Sequence, residues 1–390
     1  MDCVIQRKLE SFMARRRCTL LGVGPMSKNC VDVTIELANN YKIPLMLIAS
    51  RRQIDSARFD GGYVNNWTTE KYAKYVIDRD KRGMTILARD HGGPWQNTNE
   101  KDQNMSLRQA MASAKKSFED DIKSGFEIIH IDPSIDIHGS LTVDDILERA
   151  CELLDYCCEI AKREKKEIIF EIGTEEQSGG TNTMEEFEYS LNEVFKFCKK
   201  NKIQNPSFIV VQTGTKVMEM RNIGSFNSPF RIVNELPAEI QIPKVIELCN
   251  KYNIFMKEHN TDYLSDEALK WHPKFGIHSA NVAPEYGLAE TQGLVELLEA
   301  NNMKKLVEKF LKISFDSKKW EKWMLPNTKA TDRERALIAG HYVFSKPEVI
   351  EIKKKAQIRL KNISIDEYLK AKISDSIMRY LRNFRLLNLV

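Results

Sequence analysis

The chain has 390 residues, of which 42% are hydrophobic and 29% charged, so it can bury a large core and wholesale disorder is excluded. The formal net charge of +4 gives no support to nucleic-acid binding driven by bulk charge or to attraction by a membrane surface. The N-terminal residues contain no apolar signal segment, and no apolar run approaches the roughly 18 residues of a membrane span. We therefore expect a cytoplasmic protein with neither nucleic-acid nor membrane partners, whose cysteines are reduced thiols.

Eight short apolar runs alternate with helix-like stretches along the first three quarters of the chain. The runs cover residues 18–23, 43–49, 84–88, 126–131, 167–170, 208–211, 254–257 and 275–277. Continuous apolar strands separated by helices are typical of a parallel sheet covered by helices. Eight of them predict a closed (β/α)8 TIM barrel. The alternative is an open, doubly wound sheet in which a weak run has been overcounted.

The last quarter of the chain has a different character. Residues 294–313, 348–361 and 365–386 form helix-like, basic stretches with no strand-like run between them. We expect residues 1–295 to form the barrel and residues 296–390 to form a helical extension packed against it. A separate nucleic-acid module is a weaker alternative, because the basic residues are mixed with acidic ones and lack interleaved aromatic residues.

Polar and ionisable residues follow nearly every predicted strand. Active sites of TIM barrels are built at the carboxyl ends of the strands, so these residues are candidates for catalysis and binding. The catalytic candidates are Asp90, Glu258 and His278. The candidates for substrate binding are Ser50, Arg51, Gln53, Gln212, Lys257, Asn260, Asp262, Asn281 and Glu285.

The histidines point to a metal. His91, His259 and His278 fall at predicted strand ends, and Asp132 and Glu171 follow or end neighbouring strands. Imidazoles and carboxylates on one rim suit Zn²⁺, with Mn²⁺ or another divalent ion as the alternative. His130 lies inside the fourth run, just before its end, and is not assigned a role. We expect the metal ligands to be His91, Glu171, His259 and Asp132.

Two loops stand out locally. In the sequence DHGG at 90–93, adjacent side chains point in different directions, so His91 can bind metal while Asp90 faces the substrate as an acid or base. Its glycines are expected to let the backbone approach a ligand closely. Arg51, Arg52 and Gln53 bring two cations towards the rim, suited to a phosphate or carboxylate. The alternative for that loop is a solvated basic turn.

Several enzyme classes are excluded by their missing motifs. The sequence has no P-loop and no G-x-S-x-G nucleophile elbow. The GVG at 22–24 follows the first strand but lacks the third glycine of a dinucleotide-binding loop. A nucleotide-dependent dehydrogenase or kinase is therefore rejected.

The motifs at the strand ends resemble those of a known family. They are ARDHGGPW at 88–95, IHIDPSID at 129–136, FEIGTEEQSGG at 170–180, VVQTGT at 210–215 and FMKEHNTDYLS at 255–265. In this order, over residues 19–300, the chain resembles the larger, so-called non-catalytic subunit of class II D-tagatose-1,6-bisphosphate aldolase. It is more distantly similar to class II fructose-bisphosphate aldolase.

The resemblance implies roles for individual residues. His91 and His259 would be metal ligands, Glu171 a third or alternative ligand, and Asp90 the proton-transfer residue. Asn281 and Ser50 match an asparagine and a serine that such aldolases place on the substrate.

The sequence also departs from the fructose-bisphosphate aldolase pattern. Gln212 stands where those enzymes have a histidine ligand, and residues 260–262 replace their glycine-rich phosphate loop. The segment GIHSANVAPEYG at 276–287 departs from the tagatose aldolase subunit, which is expected to carry a lysine-valine-glycine-proline run there. His278 and Glu285 are therefore additions that offer a further ligand or base.

Two functions remain open at this point. The first is a metal-dependent enzyme that acts on a ketose or ketose phosphate through an enediolate. It would cleave the C3–C4 bond as an aldolase or epimerise C4 or C3. The second is a non-catalytic accessory subunit that stabilises a separate tagatose-bisphosphate aldolase. The expected partners are the small-molecule substrate and, in the second case, an aldolase subunit, and a homo-oligomer is also open.

Overall fold

A computed structural model describes residues 4–173, 183–211, 213–224 and 238–387. Eight parallel strands close into a barrel, because the first strand pairs with both the second and the last. In chain order the strands are β1 Leu20–Val23, β2 Leu45–Ser50, β3 Thr85–Gly92, β4 Ile128–Ile131, β5 Ile169–Gly173, β6 Phe208–Val211, β9 Phe255–Glu258 and β10 Ser279–Val282. The TIM-barrel prediction is thus confirmed, and the open sheet is excluded.

A two-stranded antiparallel hairpin follows β6, formed by β7 Lys216–Met218 and β8 Arg221–Ile223. Helices surround the barrel and continue beyond it. They are α1 Val4–Arg16, α2 Lys28–Tyr41, α3 Thr69–Arg79, α4 Thr98–Asp102, α5 Leu107–Ser124, α6 Val143–Arg163, α7 Met184–Asn201, α8 Ala238–Tyr252, α9 Asp266–Phe275, α10 Pro284–Ala300, α11 Lys304–Asp316, α12 Asp332–Ala339, α13 Pro347–Arg359 and α14 Ile365–Asn383. No helix within the described ranges is long and apolar enough to cross a membrane.

Alternation along the strands separates two cores. Leu87 of β3 and Ile129 of β4 face outwards and pack in the layer between barrel and helices. Ile86, Ala88 and Ile128 belong to the core that includes the barrel interior. Because successive side chains of a strand point to opposite faces, residues two positions further along these strands also point inwards. This parity places polar side chains at the carboxyl end of the barrel interior.

The eighth strand lies later than the sequence predicted. Residues 275–277 form the end of α9 and its cap, where Gly276 adopts a φ of 87° and donates its N–H to His272 O. The strand itself is β10 Ser279–Val282, which is too polar to stand out by hydropathy. His278 therefore precedes β10, and its carbonyl accepts from Leu20 N (2.8 Å) at the start of β1. The expectation that His278 ends a strand was wrong.

The amino-terminal end of the barrel is covered by α1. Val4 N donates to Glu167 Oε2 (2.9 Å), and Ser207 Oγ donates to Gln6 Oε1 (2.8 Å), just before β6. Leu9 and Phe12 of α1 join the core of the barrel interior. The helix α1 thus covers the barrel interior at this end, and the polar side chains of the interior lie at the opposite, carboxyl end.

The C-terminal helices pack on the barrel. The helix α10 extends past the predicted boundary at residue 295, and α14 packs against α2, α9 and α10. Arg379 of α14 donates to Asp266 Oδ1 (2.7 Å) and to Glu285 Oε1 (3.2 Å), which ties the extension to the region around β9 and β10.

Candidate metal and substrate site

Four side chains converge at the carboxyl end of the barrel interior. The Nδ1 atom of His130 lies 3.7 Å from Asp90 Oδ1 and 3.6 Å from Glu171 Oε1. The Nε2 atom of His259 lies 3.7 Å from each of the same two oxygens. Ligand atoms of Asp90, His130 and His259 all lie within 4.8 Å of one another. In a tetrahedral zinc site with bonds of about 2.1 Å, neighbouring ligand atoms are roughly 3.4 Å apart. The spacing therefore suits one divalent ion.

The hydrogen bonding of Glu171 indicates whether these residues suit a metal. Its Oε2 accepts from Lys257 Nζ (2.6 Å), whereas its Oε1 is buried with no hydrogen-bond partner among the described residues. Burial opposes its charge, but Lys257, His130 and His259 lower the pKa of Glu171 to about 2. A buried anionic oxygen without a partner is costly, and a cation between it and the two imidazoles would remove that cost. The donor set fits Zn²⁺ or a similar ion.

Strand parity explains why these residues meet. His130 and Glu171 are register partners on β4 and β5, and Asp90 lies two residues after Ala88 on β3. The pairing of β3 with β4 shifts between Arg89 and Gly92, and His91 sits in this irregularity with a φ of 45°. Its N–H donates to His130 Nδ1 (3.1 Å). His130 is thus part of the group, although the sequence reading left it unassigned.

His91 and Asp132 form a pair beside this group. His91 Nδ1 lies 2.7 Å from Asp132 Oδ2, and His91 Nε2 lies 3.6 Å from Asp90 Oδ2. Asp132 also accepts from Gln96 Nε2 and from the N–H and Oγ of Ser134. Both oxygens of Asp132 thus accept hydrogen bonds, and its contacts orient His91. Its predicted role as a metal ligand stays a prediction.

The pKa values of this group follow from its charges. Burial opposes charge on all of these residues, but His91, His130 and His259 hold the pKa of Asp90 well below its usual range. Despite burial, Asp90 and Asp132 raise the pKa of His91. Burial lowers the pKa of His259, against the opposite effects of Glu171 and Asp90. The imidazoles thus differ: His91 favours its protonated form, and His259 favours the neutral form that binds metals.

The glycines of the DHGG motif have a different role from the expected one. A Cβ on Gly92 would lie 2.3 Å from the Phe118 ring, and one on Gly93 would lie 2.1 Å from Asp132 O. These glycines let the end of β3 pack against α5 and against the end of β4. They do not make room for a ligand.

Above the group lies a cavity of about 520 Å³. Asp90, His91 and His259 line it, together with the predicted substrate residues Ser50, Gln53, Asn260, Asp262 and Asn281. The Asn281 amide Nδ2 lies 3.1 Å from Asp90 Oδ1 and 3.0 Å from His259 Nε2. Gln53 Oε1 accepts from Ser50 N (2.9 Å), which fixes the turn after β2.

Asp262 caps the N-terminal end of α10. Its Oδ1 accepts from Ala283 N (3.0 Å) and Glu285 N (2.8 Å), while burial and the nearby Glu285 raise the pKa of Asp262 to about 8. Lys257 lies deeper, paired with Glu171. Gln212 lies outside the described residues.

Three predicted residues pair with other side chains of the protein. Arg51 is fully buried and pairs with Asp55 (2.9 Å) and Glu100 (2.7 Å). Glu258 faces away from the barrel interior towards α9, where its Oε2 lies 2.5 Å from His272 Nε2. Glu285 accepts from Tyr380 OH (2.5 Å) on α14. Glu258 and Glu285 do not line the cavity and have structural partners, so their expected roles in catalysis and substrate binding were wrong. Arg51 is among the residues that line the cavity, and its predicted role in substrate binding stays a prediction.

The catalytic assignment of His278 was also wrong. It lies at the amino-terminal end of the barrel, where its Nδ1 accepts from Met256 N (3.1 Å) at the start of β9. Burial lowers the pKa of His278 to about 4. It is a neutral, structural histidine remote from the cavity.

The C-terminal extension contributes residues that the sequence reading missed. Lys319, Lys322, Trp323 and Tyr342 line the cavity together with Arg52 and Tyr63 of the loop after β2. No local motif marks them, since their position depends on how a distant segment folds back. The pair of arginines at 51 and 52 was the available signal; both line the cavity, but Arg51 is paired with Asp55 and Glu100.

A family model supports a relationship over most of the chain. Residues 9–346 match the model described as D-tagatose-1,6-bisphosphate aldolase subunit GatZ/KbaZ-like. Among solved structures, a probable tagatose 6 phosphate kinase from Sinorhizobium meliloti 1021 has 16% identity and a TM-score of 0.70, covering 94% of this chain and 100% of the other. Fructose-bisphosphate aldolase from Campylobacter jejuni has 13% identity and a TM-score of 0.58, covering 98% of this chain and 94% of the other.

A third similar structure is the fructuronate-tagaturonate epimerase from Cohnella laeviribosi, with 10% identity and a TM-score of 0.59, covering 95% of this chain and 81% of the other. At such identities these structures share the fold. The family match is more specific because it spans nearly the whole chain in sequence. The chain therefore belongs to the GatZ/KbaZ-like family of D-tagatose-1,6-bisphosphate aldolase subunits.

Proposed function

We propose that the chain is a metal-dependent enzyme that acts on a ketose or ketose phosphate through an enediolate. The outcome would be aldolase-type C3–C4 cleavage or epimerisation at C4 or C3, which share this intermediate. The observation that carries the proposal is the buried group of Asp90, His130, Glu171 and His259 at the base of an open cavity. A barrel that served only as a scaffold would have no need of an unpaired buried carboxylate oxygen at that position.

Asp90, His130 and His259 would hold the divalent ion, with Glu171 as a further ligand and Zn²⁺ as the preferred metal. The ion would replace the hydrogen bonds that His130 Nδ1 accepts from His91 N and that His259 Nε2 accepts from Asn281 Nδ2. When bound, the ion would polarise the ketone and its neighbouring hydroxyl. This assignment moves Asp90 from proton transfer to metal binding, because its Oδ1 lies among the candidate ligand atoms.

His91 is then the candidate for proton transfer. It lines the cavity, and Asp132 holds its Nδ1 at 2.7 Å, which fixes the ring and directs Nε2 to the side of Asp90. Because the nearby carboxylates raise the pKa of His91, it favours the protonated form and can donate a proton to the substrate. Asn281, Ser50 and Asn260 offer amide and hydroxyl groups for the hydroxyls of a sugar.

The comparisons support this class of chemistry. The family description names an aldolase subunit, and the structural neighbours include an aldolase and an epimerase named for ketose substrates. The second candidate, an accessory subunit that stabilises a separate tagatose-bisphosphate aldolase, is favoured by the word subunit in that description.

The test uses the purified chain alone with a panel of ketoses and ketose phosphates, with and without added Zn²⁺ or Mn²⁺. We expect metal-dependent cleavage or epimerisation that falls by roughly 10²–10⁴-fold in His91→Gln. The matched control is His138→Gln, because His138 lies in the loop after β4 but outside the cavity lining. Absence of turnover with every substrate, together with binding to and stabilisation of a catalytic tagatose-bisphosphate aldolase, would replace the enzyme proposal with the accessory one.

A further inference from the structure

We infer that the cavity contains a subsite for the anionic group of the substrate, formed by Arg52 of the barrel and by Lys319 and Lys322 of the C-terminal extension. The assignment of that group to a sugar rests on the proposed function. The subsite itself rests on the arrangement of the three cations, and it assigns the extension a role in recognition.

The three cations line one cavity and lack acidic partners. Among the residues that the structure describes, no carboxylate forms an ion pair with Arg52, Lys319 or Lys322. The neighbouring Arg51 shows the contrast, since Asp55 and Glu100 both pair with it. The carboxylates that also line the cavity, Asp60, Asp90 and Asp262, form no ion pair with these three cations. Cations left without an ion pair in a cavity are typical of a site that takes an anionic ligand.

Arg52 and Lys319 lie close enough to Lys322 for their charges to act on its ammonium. The Lys322 side chain is exposed, but its ammonium lies over the Trp323 ring (4.4 Å) and 5.7 Å from the Tyr342 ring, which desolvates it in part. This desolvation, with the nearby charges of Arg52 and Lys319, lowers the pKa of Lys322 to about 7. An anion would relieve this repulsion.

Fixed contacts hold the segment that carries the lysines. The Trp323 carbonyl accepts from Glu219 N (2.7 Å) in the turn between β7 and β8, and Thr328 Oγ1 donates to Glu219 Oε1 (2.5 Å). Trp323 Nε1 donates to Tyr342 OH (3.3 Å).

The loop of Arg52 is joined to the same structure. Tyr63 packs on Tyr342 with ring centroids 4.8 Å apart, and its N–H donates to Arg52 O (3.3 Å). The barrel loop and the extension thus hold the subsite in place without a ligand, which reduces the entropy that binding would cost.

The chemistry of the subsite defines the ligand class. The arginine offers a planar fork and the lysines offer point charges, a combination that suits an oxyanion such as a phosphate ester or a carboxylate. The cavity also contains His91 and His259, so one ligand of sugar size can reach both regions. The expected substrate is a ketose with an oxyanion group, either a phosphate or the carboxylate of a uronate.

Calorimetric titration of the full chain with inorganic phosphate and with acetate tests this inference. The protein is titrated as purified and again after chelator treatment, so that anion binding is separated from metal binding. The test variant is Lys319→Gln/Lys322→Gln. The matched control, Lys305→Gln/Lys329→Gln, removes the same charge from exposed lysines outside the cavity. The thermal midpoint of each variant shows that it is folded.

We expect one anion site per chain whose Kd rises at least tenfold in Lys319→Gln/Lys322→Gln and stays unchanged in the control. Stronger binding of phosphate than of acetate indicates a sugar phosphate, and the reverse indicates a uronate. Binding that persists in His259→Ala keeps the subsite even if the metal-dependent reaction fails. Absence of binding by both anions, or equal weakening in the control, would overturn the inference.

Discussion

Lys257 Nζ donates to Glu171 Oε2 at 2.6 Å, while the other oxygen of Glu171 lies 3.6 Å from His130 Nδ1 and 3.7 Å from His259 Nε2. One oxygen of the Glu171 carboxylate is thus held by Lys257, and the other faces the imidazoles of His130 and His259. The lysine keeps Glu171 ionised inside the barrel, as its low pKa reflects. The arrangement links the stability of the barrel core to the occupancy of the candidate metal site.

Replacing the lysine tests this link. Lys257→Met leaves the buried Glu171 carboxylate unpaired, and breaking a buried pair in this way costs about 3–5 kcal/mol of unfolding free energy. Because a bound cation would compensate the carboxylate, we expect Zn²⁺ to recover more stability in Lys257→Met than in wild type. Urea unfolding with Zn²⁺ and with chelator measures the difference. In Lys257→Met/Glu171→Gln the extra recovery should disappear, and its persistence there would argue against Glu171 as a ligand.

Substitution of Gly173 tests whether His130 is a metal ligand. A Cβ on Gly173 would lie 2.4 Å from His130 Nε2, so Gly173→Ala must displace the imidazole. We expect the bound metal to fall well below that of wild type while the far-ultraviolet circular dichroism is retained. The matched control is Gly139→Ala, where a Cβ would meet no atom within 4 Å. Full metal content in Gly173→Ala would show that His130 is not needed.

His130 also shows where prediction from sequence stops. Seven of the eight apolar runs overlap barrel strands, because burial on both faces makes these strands continuously apolar. They were sufficient to predict the parallel barrel even though the eighth run was not a strand. That same burial hides which face a residue takes, so a histidine inside an apolar run could not be assigned to the interior. Asp90, Glu171 and His259 follow or end their runs, and the sequence therefore singled them out. The eighth strand was misplaced because Ser279 and Asn281 make it less apolar than the end of α9.

The buried pair of Arg89 and Asp121 is expected to dominate the stability of the layer between β3 and α5. The Arg89 guanidinium donates to Asp121 Oδ1 (2.5 Å) and Oδ2 (2.7 Å), and both side chains are fully buried. Asp121→Ala should lower the unfolding free energy by about 3–5 kcal/mol. The exposed Lys74–Asp78 pair is the control, and Asp78→Ala should cost at most about 1 kcal/mol. Equal losses in urea unfolding would contradict this ranking.

The pH dependence of stability should report His341. It is buried, both of its ring nitrogens lack hydrogen-bond partners among the described residues, and burial together with Lys322 lowers its pKa to about 3. Since the unfolded chain protonates near pH 6.5 and the folded chain only near pH 3, the stability that is present above pH 6.5 is lost as the pH falls through this window. Between pH 7 and pH 5 this residue should account for a loss of about 2 kcal/mol.

The measurement is urea unfolding of wild type and His341→Phe at pH 7 and pH 5. The phenylalanine cannot protonate, so the variant should lose less stability on acidification than wild type. Parallel losses in the two proteins would show that His341 protonates equally in both states. The other histidines are unchanged between them and cancel in the comparison.

The sequence could not show that the C-terminal extension contributes lysines to the cavity. Lys319 and Lys322 belong to a segment far from the barrel strands in the chain, and they reach the cavity through the contacts of Trp323 with Glu219 and Tyr342. No periodicity encodes such contacts. The sequence predicted a helical, basic extension over residues 296–390 as a whole, and the tertiary packing determines which of its lysines meet the cavity.

The most direct test of the central claim is elemental analysis of bound metal in wild type, His130→Ala and Asp132→Asn. The account predicts about one divalent ion, preferably Zn²⁺, per wild-type chain. It predicts loss of the ion in His130→Ala and retention in Asp132→Asn, because His130 faces the carboxylates of Asp90 and Glu171 whereas Asp132 only orients His91. A wild-type chain that stays metal-free after addition of Zn²⁺ or Mn²⁺, or a His130→Ala variant that keeps its metal, would contradict it.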